Sequence, residues 1–220
     1  MTSEEILRHI DHTLLKAVSS WSEIAKLCDE AVKYKTASVC VPPSYVKPIH
    51  NSYKDLVICT VIGFPLGYSV SAAKICEAET ALREGAAELD MVINIGDMKN
   101  CAFEKVQDEI SALKKIAGNS ILKVIIETCY LTREEKIKLC EIVTAAGADY
   151  IKTSTGFGTG GATMEDVLLF REHIGPGVKI KAAGGVKTRE DLEQFITAGC
   201  DRIGTSSAVA LLTGRGAGGY

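Results

Sequence analysis

The run Ala148-Asp149-Tyr150-Ile151-Lys152-Thr153-Ser154-Thr155-Gly156-Phe157-Gly158-Thr159-Gly160-Gly161 decides how the chain is read. Its first half predicts a short strand and its second half a glycine-rich loop. Thr163, with Asp166 three residues on, has the pattern of a capping box and opens a helix. Strand, loop and helix in that order form one unit of a parallel α/β protein. Lys152 sits inside the strand. Strands of a parallel sheet are buried on both faces and read as apolar runs. A lysine there is costly unless something compensates it, so this residue is the main functional clue.

The same unit recurs on both sides. Downstream, Val178 to Ala182 predicts a strand, Thr188 to Ala198 a helix, Arg202 to Gly204 a strand and Ser206 to Leu212 a helix. Upstream, Leu7 to Thr13 predicts a short strand that ends in Ile10-Asp11-His12-Thr13. The stretch Trp21 to Lys35 carries apolar residues at Ile24, Leu27, Cys28, Ala31 and Val32, a helical spacing. Strands are then expected over Ser38 to Val41, Leu56 to Ile62, Glu88 to Ile93 and Ile121 to Ile126. Helices are expected over Ser44 to Asn51, Val70 to Glu84, Phe103 to Ala117 and Thr132 to Ala146, the first weakened by Pro48. About eight strand–helix units suggest a closed (β/α)₈ barrel of the TIM type, compact for its class. An open doubly wound sheet is the alternative. No linker or shift in composition divides the 220 residues, so one domain is expected over 1–220, with a flexible glycine-rich tail at 214–220.

Composition narrows the function classes. The chain is 46% hydrophobic and 24% charged, with a formal net charge of −3. That balance gives no electrostatic case for nucleic acid or an anionic membrane. No apolar run has the length of a transmembrane helix, and the polar start Met1-Thr2-Ser3-Glu4-Glu5 does not resemble a signal peptide. A cytoplasmic protein without membrane or nucleic-acid partners is expected. The 8 cysteines and 4 histidines show no Cys-x-x-Cys or His-x-x-x-His spacing, so no metal site is expected and most cysteines read as buried thiols.

Alternate residues of a barrel strand face the lumen. Lys152 then shares a face with Tyr150 and Ser154, and Lys181 with Lys179 and Ala183. Asp90 shares one with Glu88, Val92 and Asn94, and Asp11 with Thr13. A lumen with two lysines and at least two carboxylates is open to two readings. One is a structural ion-pair network. The other is covalent catalysis by a lysine amine. An amine attacks a carbonyl only when neutral, and a free lysine, near 10.4, is charged at neutral pH. Desolvation and a second cation favour the neutral form. Lys152, beside a glycine loop with room for substrate, is the better nucleophile. Lys181 is then its electrostatic modulator and proton relay, and Asp90 the group that moves protons at the substrate oxygen. Gly156-Phe157-Gly158-Thr159-Gly160-Gly161 matches the dinucleotide fingerprint only formally, since no acidic residue ends the next strand. Ala183-Gly184-Gly185-Val186-Lys187 and Gly204-Thr205-Ser206-Ser207 follow the last two strands, where barrels often bind phosphate.

Ile10-Asp11-His12-Thr13, Glu88-Leu89-Asp90, Lys123-Val124-Ile125-Ile126-Glu127-Thr128, Tyr150-Ile151-Lys152-Thr153-Ser154-Thr155-Gly156-Phe157, Lys181-Ala182-Ala183-Gly184-Gly185-Val186 and Arg202-Ile203-Gly204-Thr205-Ser206-Ser207, in this order, resemble the deoxyribose-phosphate aldolase family across almost the whole chain. The resemblance implies a class I, Schiff-base aldolase on a (β/α)₈ barrel that uses no cofactor or metal. It implies reversible cleavage of 2-deoxy-D-ribose 5-phosphate to glyceraldehyde 3-phosphate and acetaldehyde. Its partners would be the phosphorylated sugar and aldehydes, and the chain would form a homodimer or homotetramer. Catalysis falls on Lys152, Asp90 and Lys181. Substrate binding falls on Asp11, Thr13, Cys40, Thr155, Gly156, Gly184, Gly185, Gly204, Ser206 and Ser207. Some members have a lysine where this chain has Phe157, which puts more of the phosphate on Gly184, Gly185, Ser206 and Ser207. The runner-up readings are another Schiff-base barrel, transaldolase-like or acting on ketose phosphates, and a non-catalytic sugar-phosphate binder.

Tyr220 ends the tail. After carbon–carbon cleavage the acetaldehyde fragment is an enamine on Lys152, and its terminal carbon must gain a proton. A phenol can supply it with help from neighbours. Family members often end in tyrosine, so Tyr220 is expected to be catalytic.

Overall fold

A computed structural model describes residues 1–214. The elements run α1 (Ser3–Leu7), β1 (Ile10–Thr13), α2 (Trp21–Tyr34), β2 (Ser38–Val41), α3 (Val46–Ser52), β3 (Ile58–Ile62), α4 (Ser71–Arg83), β4 (Glu88–Val92), α5 (Ile95–Lys99) and α6 (Phe103–Ala117). They continue with β5 (Ile121–Ile125), α7 (Arg133–Ala145), β6 (Tyr150–Lys152), α8 (Met164–His173), β7 (Lys179–Ala183), α9 (Arg189–Thr197), β8 (Arg202–Thr205) and α10 (Ala208–Thr213). The eight strands pair in sequence order, all parallel, and β8 closes on β1. This is the (β/α)₈ barrel that the repeated units predict.

The core lies mainly between strands and helices. Outward residues such as Val39, Leu89, Val124, Ile151, Ile180 and Ile203 are fully or almost fully buried under the helix ring. Each such side chain contributes about 1.5–3 kcal/mol by leaving water. The helices meet them with one face. In α2, Ile24, Leu27, Cys28 and Ala31 are buried, as their spacing predicts. Val32 is not; it is 56% exposed. At about 100° per residue it lies some 80° round the helix from Ile24, at the edge of the apolar stripe.

Local chemistry explains most boundaries. Capping boxes at Thr2/Glu5, Ser20/Glu23, Thr132/Glu135 and Thr188/Asp191 open α1, α2, α7 and α9. Thr163 caps α8 through the Asp166 N–H at 3.1 Å, while the Asp166 carboxylate is taken by Lys136 at 2.6 Å. Pro48 is accommodated in the first turn of α3, where its missing N–H is not needed. Two helices lie beyond the sequence expectation, α1 and α5. The α1 capping box is a local signal that could have announced it. The last helix starts two residues later than expected, because the Thr205 hydroxyl takes the Ser207 N–H at 3.2 Å and holds Ser206 and Ser207 in a turn.

The register fixes which residues meet inside. Asp90 pairs with Lys123, Lys123 with Tyr150, Lys152 with Lys181, and Lys181 with Arg202. Inward residues therefore stack in layers drawn from alternate strands. Asp11, Cys59, Lys123 and Lys181 come from odd strands. Cys40, Asp90, Lys152 and Gly204 come from even strands and lie nearer the C-terminal rim.

Candidate active site

The lumen is ionic. Asp11, Glu88 and Asp90 face Lys123, Lys152, Lys181 and Arg202. The first six are at most 3% exposed, and the Arg202 side chain is 15% exposed. Asp90 is the hub. Its Oδ2 accepts from Lys152 Nζ and from Lys181 Nζ, both at 2.7 Å. Its Oδ1 accepts from Lys123 Nζ at 2.9 Å and from Cys59 Sγ at 3.1 Å. Lys123 also reaches Glu88 at 2.6 Å, and Arg202 reaches Glu88 at 3.0 Å. Asp11 accepts from Lys181 and Arg202, each at 2.5 Å, and from Ser38 Oγ at 2.8 Å.

This arrangement sets charge states. Burial alone would raise the Asp90 carboxyl, but Lys123, Lys152 and Lys181 outweigh it and hold it well below the usual carboxylate range. Burial would likewise lower Lys181, yet the carboxylates of Asp11 and Asp90 lift it above an ordinary lysine. Lys123 is lifted in the same way. Asp90 is therefore an ionised acceptor, and Lys123 and Lys181 are fixed cations. Counted with all groups charged, the lumen holds four cations against three carboxylates. Removing one proton balances it.

Above the ionic layers a cavity of about 420 Å³ opens at the C-terminal ends of the strands. Lys152 forms part of its floor. Among the described residues, none of the other three lumen cations reaches it. Its walls come from the loops after β1, β6, β7 and β8, as expected for a barrel of this type. Of the residues singled out in the sequence, Thr13, Lys152, Thr155, Gly156, Gly184, Gly185, Gly204, Ser206 and Ser207 line this one cavity. Gly156, Gly184 and Gly185 have φ of +85°, +75° and +78°, which a side chain would strain. Gly161 allows the β6 and β7 loops to touch: a Cβ there would lie 2.5 Å from the Gly184 carbonyl carbon.

Four expected site residues are placed differently. Asp90 and Lys181 lie directly beneath the cavity, in reach of it through Lys152. Asp11 and Cys40 do not line it. Asp11 is fully buried one layer down, its carboxylate taken by Lys181, Arg202 and Ser38. Cys40 is fully buried beside Cys59 under Leu15 and Phe64. Tyr220 lies outside the described residues.

The sequence reading gave no site role to Lys123, Arg202, Glu127 or Lys16, although the first three lie in the motifs that carry the resemblance. Lys123 carries the same signal as Lys152, a lysine within an apolar strand. Arg202 begins a strand, where an arginine looks ordinary. Lys16, on the loop after β1, lines the cavity rim. Two clusters, Cys40–Cys59–Asp90 and Asp11–Cys59–Glu88, bring groups of metal-binding type within 4.8 Å of one another. The Lys123 ammonium already lies 3.3 Å from Cys59 Sγ and bonds Glu88 and Asp90, supplying the positive charge there.

Comparison with known proteins agrees with this geometry. The profile described as DeoC/LacD family aldolase matches residues 6–217. A deoxyribose-phosphate aldolase of Clostridium botulinum (strain Alaska E43 / Type E3) is 64% identical over the full length of both chains. One of Clostridioides difficile (strain 630) is 57% identical, covering 95% of this chain and 96% of the relative. Among solved structures, the tetrameric deoxyribose phosphate aldolase of Aeropyrum pernix superposes with a TM-score of 0.90 at 34% identity, covering 96% of this chain and 91% of that one. An aldolase named QR15 gives 0.92 at 38% identity, covering 96% and 95%. With a closed barrel, a lysine on the cavity floor and relatives of this closeness along its whole length, the chain belongs to the DeoC/LacD aldolase family.

Proposed function

We propose that this chain carries out the reaction of its relatives, the reversible aldol cleavage of 2-deoxy-D-ribose 5-phosphate to glyceraldehyde 3-phosphate and acetaldehyde, through a Schiff base on Lys152. The observation that carries the reading is the position of Lys152, on the cavity floor with its amine on the same carboxylate oxygen as Lys181. The neutral amine adds to the aldehyde carbon of the open-chain sugar. Loss of water gives an iminium. The C3 hydroxyl then gives its proton to the Asp90 carboxylate, directly or through water, as the C2–C3 bond breaks. The electron pair of that bond moves onto the iminium and leaves an enamine on Lys152. Protonation of the enamine carbon, assigned to Tyr220, and hydrolysis of the resulting iminium release acetaldehyde and restore the amine. Lys181, a fixed cation, donates to the same Asp90 oxygen as Lys152 and so keeps positive charge next to the amine.

The phosphate is assigned to the backbone N–H groups of Gly184 and Gly185 and the hydroxyls of Ser206 and Ser207, with Lys16 as a cation at the rim. Phe157 stacks edge-on against Phe64, ring centres 5.3 Å apart, and presents no charge. We read the chain as one cytoplasmic aldolase domain that assembles as a homodimer or homotetramer. Among the described residues no helix is long and apolar enough to cross a membrane.

Acetaldehyde with borohydride tests the chemistry, because reduction freezes the Schiff base as a stable amine. Peptide mapping should place the label on Lys152. Label confined to Lys181, or no label, would refute the assignment.

A further inference from the structure

We infer that Glu127 is a positioning residue that fixes the hydrogen-bonding polarity of Thr155, so that the substrate group meeting Thr155 must be a donor. The inference deepens the proposed reading and rests on it for the location of the substrate.

Glu127 follows β5. On either side of it the backbone stays tied to the β6 segment: the Ile126 N–H donates to the Lys152 carbonyl at 3.1 Å and the Thr128 N–H to the Thr153 carbonyl at 2.9 Å. Between them Glu127 adopts φ 53° and ψ 69°, a left-handed conformation unusual for a residue with a side chain. Its carboxylate accepts the Thr155 N–H at 3.2 and 3.3 Å and the Thr155 hydroxyl through a very short bond. The side chain is 2% exposed and makes no ion pair among the described residues. Burying a carboxylate without a countercharge is costly, and these donors offset that cost. The loop also closes on it: a Cβ at Gly158 would lie 3.0 Å from the Glu127 carboxyl carbon and 2.9 Å from Cys129 Sγ. Strained backbone and burial set the Glu127 carboxylate on Thr155, with Cys129 Sγ as a longer second partner at 3.9 Å.

The consequence follows from counting. A hydroxyl has one hydrogen and two lone pairs. The Thr155 hydrogen goes to Glu127, which as a carboxylate can only accept. One lone pair takes the Phe157 N–H at 3.0 Å. What Thr155 can offer the cavity it lines is its remaining lone pair. A carbonyl or ether oxygen facing it is unmatched; a hydroxyl is matched. In the open-chain substrate the C3 oxygen is assigned to Asp90 and the phosphate to the glycine loops. The C4 hydroxyl remains. Glu127 thus selects, through Thr155, acceptor aldehydes bearing a hydroxyl next to the carbonyl.

The test is addition of acetaldehyde to 2-hydroxypropanal and to propanal, which differ by that hydroxyl alone. The unaltered protein should prefer the hydroxylated acceptor. Glu127→Gln keeps the size but puts an amide N–H₂ donor in place of one carboxylate oxygen, so the Thr155 hydroxyl can accept from residue 127 and turn its own hydrogen to the cavity; the ratio of the two kcat/KM values should fall about 10-fold. Thr155→Val should lose at least as much of the ratio, and the double variant should match Thr155→Val, because Glu127 acts through that hydroxyl. Borohydride trapping of acetaldehyde at Lys152, which uses no hydroxyl, should persist in Glu127→Gln. An equal loss on both acceptors would make Glu127 merely structural, and an unchanged ratio or additive losses would equally overturn the inference. Absence of trapping in the unaltered protein would instead overturn the Lys152 assignment, so the two readings fail separately.

Discussion

Replacing Asp90 by asparagine removes one negative charge from a sealed chamber and leaves its shape almost unchanged. Three ammonium groups, on Lys123, Lys152 and Lys181, lie within 2.9 Å of this carboxylate, and all four side chains are at most 4% exposed. Removing one partner of a buried ion pair costs about 3–5 kcal/mol, since the other charge stays buried without compensation. Here three cations lose a shared partner, and the lumen goes from four cations against three carboxylates to four against two. The loss in unfolding free energy should therefore reach at least about 3 kcal/mol, a large part of an ordinary domain's 5–15 kcal/mol. Turnover should fall by about 10²-fold or more if Asp90 takes the C3 proton. The pH dependence has a definite sign. The folded Asp90 titrates far below its unfolded value near 3.9. Its contribution is thus complete above that value and fades as pH falls through it towards the folded pKa. Urea denaturation of both proteins from pH 8 to pH 3.5 reads this directly. The gap in stability should stay constant down to about pH 5 and narrow below about pH 4. A gap that widens on acidification would refute the ionised-hub reading, as would a variant with near-normal stability and turnover.

Other outcomes follow from the same contacts. Lys181 stays charged throughout the working range, so Lys181→Met removes a fixed cation next to Lys152; activity should fall and the rising limb of its pH–rate profile should move to more alkaline pH, and an unmoved profile would argue against electrostatic coupling. Ser206→Asp or Ser207→Asp places a negative charge in the proposed phosphate site; KM for deoxyribose 5-phosphate should rise about tenfold or more while unphosphorylated deoxyribose suffers far less, and equal losses would locate the phosphate elsewhere. Gly161→Ala drives a methyl to 2.5 Å from the Gly184 backbone; because backbone cannot swing aside as a side chain can, it should cost about 1–3 kcal/mol and distort the cavity wall, detectable as lower thermal stability and turnover.

The fold was legible because its signals are local. Most strand–helix units are announced by a short apolar run, and several also by a cap such as Thr132/Glu135 or Thr188/Asp191 or by a glycine after the helix. These depend on residues three or four apart, and eight repeats of them leave few architectures. Lys152, Lys181 and Asp90 were legible for a related reason. A charged residue inside an apolar parallel strand conflicts with its surroundings, and the conflict is visible without knowing what resolves it. Lys123 carries the same conflict. Its role went unread because a lysine in a strand does not say whether it faces a cavity or a carboxylate.

The sequence by itself determined the order of the strands and of most helices, the parallel α/β class with a closed barrel as its first reading, and Asp11, Asp90, Lys152 and Lys181 among the charged lumen residues, because hydrophobic periodicity and capping act over a few residues. The tertiary structure alone decided depth. Asp11 and Thr13 share a strand face, yet Thr13 lines the cavity while Asp11 is sealed beneath it. The stagger between neighbouring strands sets that level, and stagger is a property of the closed barrel rather than of any one strand. Glu127 and Thr155 lie 28 residues apart, and only closure of β5 against β6 brings them together. Contacts of this kind depend on register across many residues, which no local pattern in the chain encodes.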